Sequence, residues 1–88
     1  MLKTEELLIV VREILFREWD PIGVNQNEAC RNEYDSYAPT ICQHLREGAD
    51  EVWLASHLSR LQSDSMGMSQ VDHELHKRIA RRLCALVR

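Results

Sequence analysis

The sequence has few of the residues that make turns, with three glycines and two prolines among 88 residues. β-Branched residues are also sparse, whereas leucine is frequent. A fold of many short strands needs more of both kinds, so this composition argues against a many-stranded β fold and favours helices. Apolar residues make up 44% of the chain, which is too much for a disordered tail.

Long apolar runs are absent as well. The longest, LLIVV at residues 7–11, is far shorter than the roughly 20 residues of a membrane-spanning helix. Two acids precede this run directly, which is not the layout of a secretory signal. The three cysteines form no CxxC pair, and their odd number and wide spacing are typical of free thiols in a reducing compartment. We therefore expect a cytoplasmic bacterial protein with no membrane segment and with free thiols at Cys30, Cys42 and Cys84.

The net charge of −3 is small, but the charge is unevenly distributed. Residues 1–69 hold 12 acids and 6 bases, a net charge of −6, whereas residues 70–88 hold 2 acids and 5 bases, a net charge of +3. An acidic balance over most of the chain argues against general binding to nucleic acid or to anionic membranes.

Helical periodicity predicts four helices between the glycines and prolines. The first spans about residues 4–18, with Thr4 as its N-cap and Pro21 just beyond its end. One apolar stripe along this helix is expected to face the core. Ile9 and Phe16 fall on the opposite side, where they are either second core contacts or exposed.

The other helices each follow a residue that commonly caps helices. Asp35 or Ser36 is expected to cap the second, Asp50 the third and Ser69 the fourth. The sequence therefore predicts an all-α fold, a compact bundle of about four helices with one irregular acidic connection, in a single domain over residues 1–88.

The connection after the first helix combines residues with strong conformational preferences. Proline fixes the direction of the chain, glycine permits backbone conformations closed to other residues, and a short acidic side chain accepts backbone N–H groups of the turn. Tyrosines can bury their rings while their hydroxyls reach polar partners. We favour a structural role over direct partner binding for this motif, which consists of Trp19, Asp20, Pro21, Gly23, Tyr34 and Tyr37.

Residues 19–24 read WDPIGV and residues 33–39 read EYDSYAP. As a pair, these two stretches resemble a family of small bacterial helical proteins of unknown function. The resemblance implies an all-α domain with no established enzymatic activity. Some relatives look like immunity proteins of bacterial competition systems, which implies a protein-binding role. The match continues at Ile41, Leu45, Gly48, Ala49, Met66 and Gly67, and it departs at Arg31 and Asn32, where the family has an acid.

The acidic connection, residues 18–35, is the first candidate binding site. Its carboxylates would suit a basic protein partner, for example a toxin nuclease domain that must itself attract phosphate. The alternative is an ordinary solvated loop with helix-capping acids. Trp53 forms a second candidate with His57 and Arg60, either as an interaction hot spot or as a further core contact. The predicted partner-binding residues are Glu28, Glu33, Asp35 and Trp53.

The basic face of the fourth helix offers an alternative, a nucleic-acid-binding regulator. Because the whole chain lacks the basic charge such binding normally uses, we favour a solvated helix face or pairing with the acidic connection. The cations concerned are Lys77, Arg78, Arg81, Arg82 and Arg88.

Catalytic and metal-binding patterns are missing. The sequence has no HExxH motif, no zinc-type Cys/His spacing, no nucleophile elbow and no glycine-rich phosphate loop. His73 and His76 are expected at the surface or its boundary, and Cys42 in the core, turned away from His44. We therefore predict a non-catalytic protein without a cofactor or metal.

Overall fold

The computed structural model describes residues 3–68 and 71–87, and the regular structure within them is helical. A π-helical turn continues the first α-helix, another continues the third, and two short 3-10 turns lie in the connection between the first and second. The predicted all-α bundle is confirmed. The α-helices are α1, Thr4–Ile14; α2, Ala38–Arg46; α3, Glu51–Arg60; and α4, His73–Ala85, with the π-helical turns at Leu15–Trp19 and Leu61–Ser65 and the 3-10 turns at Glu28–Cys30 and Asp35–Tyr37.

Packing between helices joins two pairs into one core. α3 packs along α4, α1 packs on α2, and the turn that follows α1 contacts α4. The Cα radius of gyration is 12.2 Å, close to the ~12 Å of a compact domain of this length. The apolar stripes meet in a core that includes Leu7, Val11, Leu15, Trp19, Ile41, Leu45, Leu54, Leu58, Ile79 and Leu83.

The predicted cap of α3 is confirmed, because the Asp50 carboxylate accepts the Trp53 backbone N–H at 2.8 Å. The predicted cap of α1 is wrong, since Thr4 is already the first helical residue and Lys3 is the N-cap. The Lys3 backbone N–H donates to the Glu6 carboxylate at 3.1 Å, which secures this helix end without a Thr4 side-chain cap.

α4 begins later than the sequence predicts. The proposed cap, Ser69, lies outside the described residues, as does Arg88 of the basic face. The N-cap of α4 is Asp72, whose carboxylate accepts the Leu75 backbone N–H at 3.0 Å. Val71 and Asp72 are not helical, so α4 begins at His73.

Ile9 and Phe16, which the sequence places opposite the core-facing stripe of the first helix, differ in their exposure. Ile9 is 57% exposed, whereas Phe16 is buried. The connection folds back over this side of the first helix, and the guanidinium of Arg31 lies 5.6 Å from the centre of the Phe16 ring. Phe16 is therefore a second core contact that a loop, rather than another helix, covers.

None of the described helices is long and apolar enough to cross a lipid bilayer.

Candidate functional site

Trp19 is the centre of an aromatic cluster at the end of the first helical segment. Its side chain is only 2% exposed. Its ring lies 5.5 Å from Tyr34, 6.4 Å from Tyr37 and 6.1 Å from His76, measured between centroids. Because His76 belongs to α4, this cluster joins the acidic connection to the far side of the bundle.

Asp20 organises the turn that follows Trp19. Its carboxylate accepts the backbone N–H of Val24 at 2.8 Å, the backbone N–H of Asn25 at 3.0 Å and the Tyr34 hydroxyl at 2.7 Å. The Tyr34 hydroxyl in turn accepts the backbone N–H of Ile22 at 3.2 Å. Burial raises the pKa of Tyr34, so the hydroxyl remains a proton donor to Asp20. Two segments of the motif are thus joined through one carboxylate.

The predicted partner-binding acids Glu28 and Asp35 face arginines of the same chain. Glu28 lies 2.7 Å from Arg17 and 3.0 Å from Arg31. Hydrogen bonds from these two guanidinium groups hold the pKa of Glu28 below its usual value. Asp35 lies 3.8 Å from Arg12, a longer and weaker pair.

One ion pair links the acidic connection to the basic helix. Glu18 accepts two hydrogen bonds from the Arg82 guanidinium, at 3.0 and 2.7 Å. These bonds lower the pKa of Glu18 and raise that of Arg82. The sequence alternative in which the basic helix pairs with the acidic connection is therefore confirmed for this pair.

These pairings leave the acidic connection less acidic than its composition suggests. Four arginines offset its carboxylates and that of Glu13, which also contacts Arg17 and Arg31. Glu33 is the exception, since it is exposed and its carboxylate has no hydrogen-bond or ion-pair partner within residues 3–68 and 71–87. Glu33 is therefore the main carboxylate of the acidic connection that remains available to a basic partner.

Trp53 lies in a second aromatic cluster, at the junction of α2 and α3. The Trp53 ring stacks on His57 with centroids 4.9 Å apart and planes at 15°, and it contacts His44 at 4.1 Å. Trp53 is half-buried, so part of its ring remains exposed. A shallow depression beside it also includes Glu47 and Asp50. We name this region, formed by His44, Glu47, Asp50, Trp53 and His57, the Trp53 surface.

The sequence indicated His57 in this cluster but not His44. His44 is on α2, and only the packing of α2 near the start of α3 brings it to Trp53. Burial is the main reason that the pKa of His57 is lowered, with smaller contributions from the charges of Arg60 and His44. The neutral form of the His57 imidazole can stack on the Trp53 indole without the free-energy cost of burying a charge.

The two predicted partner-binding regions are not adjacent. Asp35 begins the 3-10 turn that leads into α2, whereas His44 lies in the last turn of α2. A helical rise of ~1.5 Å per residue places them roughly 13 Å apart along the helix axis. The Trp53 surface and the acidic connection therefore lie at opposite ends of α2.

The expectation that His76 lies at the surface or its boundary is wrong, because this side chain is 0% exposed. Its Nε2 lies 2.8 Å from the Gln62 amide oxygen and its Nδ1 lies 2.9 Å from the Ser59 hydroxyl. An amide oxygen only accepts, so Nε2 carries the proton and Nδ1 accepts from Ser59. Burial lowers the pKa of His76, which keeps it neutral. His73, by contrast, is exposed.

This buried histidine predicts a stability that falls in mild acid. The unfolded chain takes up protons below the ordinary pKa of 6.5, whereas folded His76 does so only at lower pH. In that window the unfolded state binds more protons, so the free energy of unfolding decreases as the pH falls below about 6.5 and is fully retained above it. We expect urea unfolding midpoints to decrease in this sense between neutral pH and the range where carboxylates titrate.

A non-titrating variant isolates the contribution of His76. In His76→Gln, the amide keeps hydrogen-bonding capacity but cannot become charged, so the pH slope should become shallower than in the wild type. His57→Gln measures the separate contribution of His57, whose pKa is also lowered by burial. An unchanged slope in His76→Gln would contradict the assignment.

The basic residues of α4 are partly engaged. Arg82 is paired with Glu18, and Lys77 lies 3.5 Å from Glu74. Arg78 and Arg81 have no carboxylate within ion-pair distance in the described part of the chain. Two cations on a short helix offer little of the multiple phosphate contact on which nucleic-acid affinity depends.

The described cysteines Cys30, Cys42 and Cys84 form no disulfide bond. Burial raises the pKa of Cys42, which disfavours its thiolate. Among residues 3–68 and 71–87, no three His, Cys, Asp or Glu side chains are grouped so as to hold a metal ion.

The described residues form an all-α helical bundle, and the Trp53 surface is a shallow depression on it. Comparison with protein-family models, curated proteins and solved structures finds no match for this chain. The family resemblance of the WDPIGV and EYDSYAP stretches stays a prediction.

Proposed function

We propose that this protein acts without catalysis, by binding another protein through the Trp53 surface, as an immunity-type inhibitor of a basic toxin domain. The observation that carries the proposal is the half-buried Trp53 ring, which packs against two histidines at the junction of α2 and α3. A tryptophan whose rotamer is already restrained loses little conformational entropy on binding, and tryptophan is the residue type most enriched in interface hot spots.

The charge around Trp53 supports a basic partner. Glu47 and Asp50 lie beside the same depression, and Glu47 is largely exposed. The Asp50 carboxylate already caps α3 through one oxygen, so its position is fixed. Acidic groups at the edge of an apolar contact accelerate association with a cationic surface and disfavour acidic partners.

The test begins with capture of partners from the native host and continues with the purified partner. Trp53→Ala should weaken the affinity for that partner by roughly 30-fold or more, the effect of a hot spot of about 2 kcal/mol. Ile22→Ala is the matched control, since Ile22 is an exposed apolar side chain within the WDPIGV stretch. Its removal should change the affinity less than threefold, a small fraction of a hot-spot effect.

The acids are tested in the same assay. Glu47→Ala should slow association and reduce its salt dependence, because a rim charge acts mainly on the on-rate. Glu33→Ala tests the remaining free acid of the acidic connection in parallel. Unchanged affinity in Trp53→Ala, with a loss in Glu33→Ala, would transfer the binding site to the connection and overturn the proposal.

A further inference from the structure

α3 presents three different faces. One packs into the core through Leu54 and Leu58, and a second carries the Trp53 surface. The third faces a groove between α3 and α4 with a volume of about 480 Å³, within the ~300–1,000 Å³ typical of small-molecule sites. Since this groove shares no residue with the Trp53 surface, it calls for a separate explanation.

The α3 wall of the groove is mainly apolar at one end and polar at the other. Val52, 76% exposed, and Ala55 supply apolar surface. Ser56 and Ser59 follow along the helix, and the Ser59 hydroxyl is already bonded to buried His76. An apolar group placed here would remove water from Val52, which the protein alone leaves exposed.

The α4 wall carries cations. Lys77 and Arg81 line the groove, with His73 at the Ser59 end. Glu74 shares the charge of Lys77 at 3.5 Å, whereas Arg81 has no carboxylate within ion-pair distance among the described residues. Glu51 lies on the opposite wall of the groove.

We propose that this groove binds a small amphipathic carboxylate, with its apolar chain along Val52 and Ala55 and its carboxylate on Arg81 and Lys77. The guanidinium of Arg81 can hold a carboxylate through two parallel hydrogen bonds. Because Glu74 offsets part of the charge of Lys77, the groove suits a monoanion better than a doubly charged phosphate ester. The site is independent of the proposed protein interface.

The test uses octanoate, octanol and octyl phosphate as probes for the intact chain in backbone amide NMR titrations. Octanoate should shift resonances of the groove residues at millimolar concentration and bind about tenfold more tightly than octanol, which lacks the charge. Octyl phosphate should bind no more tightly than octanoate. Equal binding of octanoate and octanol, or preference for octyl phosphate, would overturn the assignment, as would the absence of any shift.

Variants locate the contact. Arg81→Gln should weaken octanoate binding about tenfold and leave octanol binding unchanged, since only the ion pair is removed. Arg78→Gln is the matched control, because Arg78 lies on the same helix but outside the groove and has no carboxylate partner among the described residues either. Equal effects of the two variants would reduce the contact to nonspecific attraction by α4 and overturn the proposal.

Discussion

Trp19→Ala should lower the free energy of unfolding by about 3–5 kcal/mol, the range for removing a large aromatic side chain from a core. A domain of this length has a total stability of only ~4–13 kcal/mol, so the variant would lose much of it. The ring contacts Tyr34, Tyr37 and His76, and no other described residue connects the acidic connection to α4 through so large a side chain. The cavity left behind would therefore loosen two parts of the bundle together.

Trp19→Phe keeps an aromatic ring in the core but removes the indole N–H, so it distinguishes the contributions of the two. The buried Trp19 Nε1 has no hydrogen-bond partner among the described residues, so its removal sacrifices no hydrogen bond. We expect this variant to lose less than half of the stability that Trp19→Ala loses.

The matched control is Trp53→Ala, which removes the same side chain from a half-exposed position. Its loss of stability should stay below about 2 kcal/mol, because Trp53 packs against the core only in part and its removal leaves a smaller cavity. Urea unfolding followed by far-ultraviolet circular dichroism measures all three variants, since it does not depend on the tryptophan signal. Similar losses in the two alanine variants would contradict the distinction between a core tryptophan and a surface tryptophan.

The helices could be predicted because their determinants are local. The leucines of α3 and α4 recur at helical spacing, and their stripes are buried in the structure. Asp50 caps α3 as the sequence indicated, through a contact only three residues long. Ser69 and Asp72 are both of residue types that commonly cap helices, and the sequence does not show which of the two caps α4.

Apart from the helix caps, where Lys3, Tyr37 and Asp72 stand in place of the predicted residues, the errors concern contacts between distant segments. Phe16 is buried because the connection folds back over it, and the guanidinium of Arg31 covers its ring. His76 is buried because Ser59 of α3 and Gln62 of the following π-helical turn both lie within hydrogen-bond distance of its ring. Neither arrangement has a signal in the periodicity of its own helix.

In the candidate site, too, the local contacts could be predicted from the sequence and the contacts between distant segments could not. Trp53 and His57 were predicted together because they are four residues apart on one helix face. His44 joins them only through the packing of α2 near α3. The sequence left open whether the basic helix is solvated or pairs with the acidic connection. The structure shows that Glu18 and Arg82, 64 residues apart, form a contact.

Asp20→Ala should lower the free energy of unfolding by about 3 kcal/mol, since hydrogen bonds to a charged group contribute ~1.5–3 kcal/mol each and water replaces part of the loss. The carboxylate accepts two backbone N–H groups and the Tyr34 hydroxyl, all partly buried. The backbone of Asp20 also has a positive φ of 35°, a conformation that aspartate and asparagine tolerate better than alanine.

Three further variants separate these contributions. Asp20→Asn keeps one acceptor oxygen and the backbone preference, so its loss should be near 1 kcal/mol. Asp20→Gly removes the acceptor but relieves the backbone, and should fall between the asparagine and alanine variants. Asp35→Ala is the control for a surface acid, since its pair with Arg12 at 3.8 Å should contribute less than ~1 kcal/mol.

The same series distinguishes a structural motif from a binding motif. If Asp20 acts only within the fold, then partner affinity measured below the unfolding transition should be unchanged in Asp20→Asn, while its urea midpoint decreases. A variant that keeps the wild-type midpoint but loses the partner would instead assign WDPIGV to the interface. Because the Trp53 surface lies at the other end of α2, the first result is the one that the two separate clusters predict.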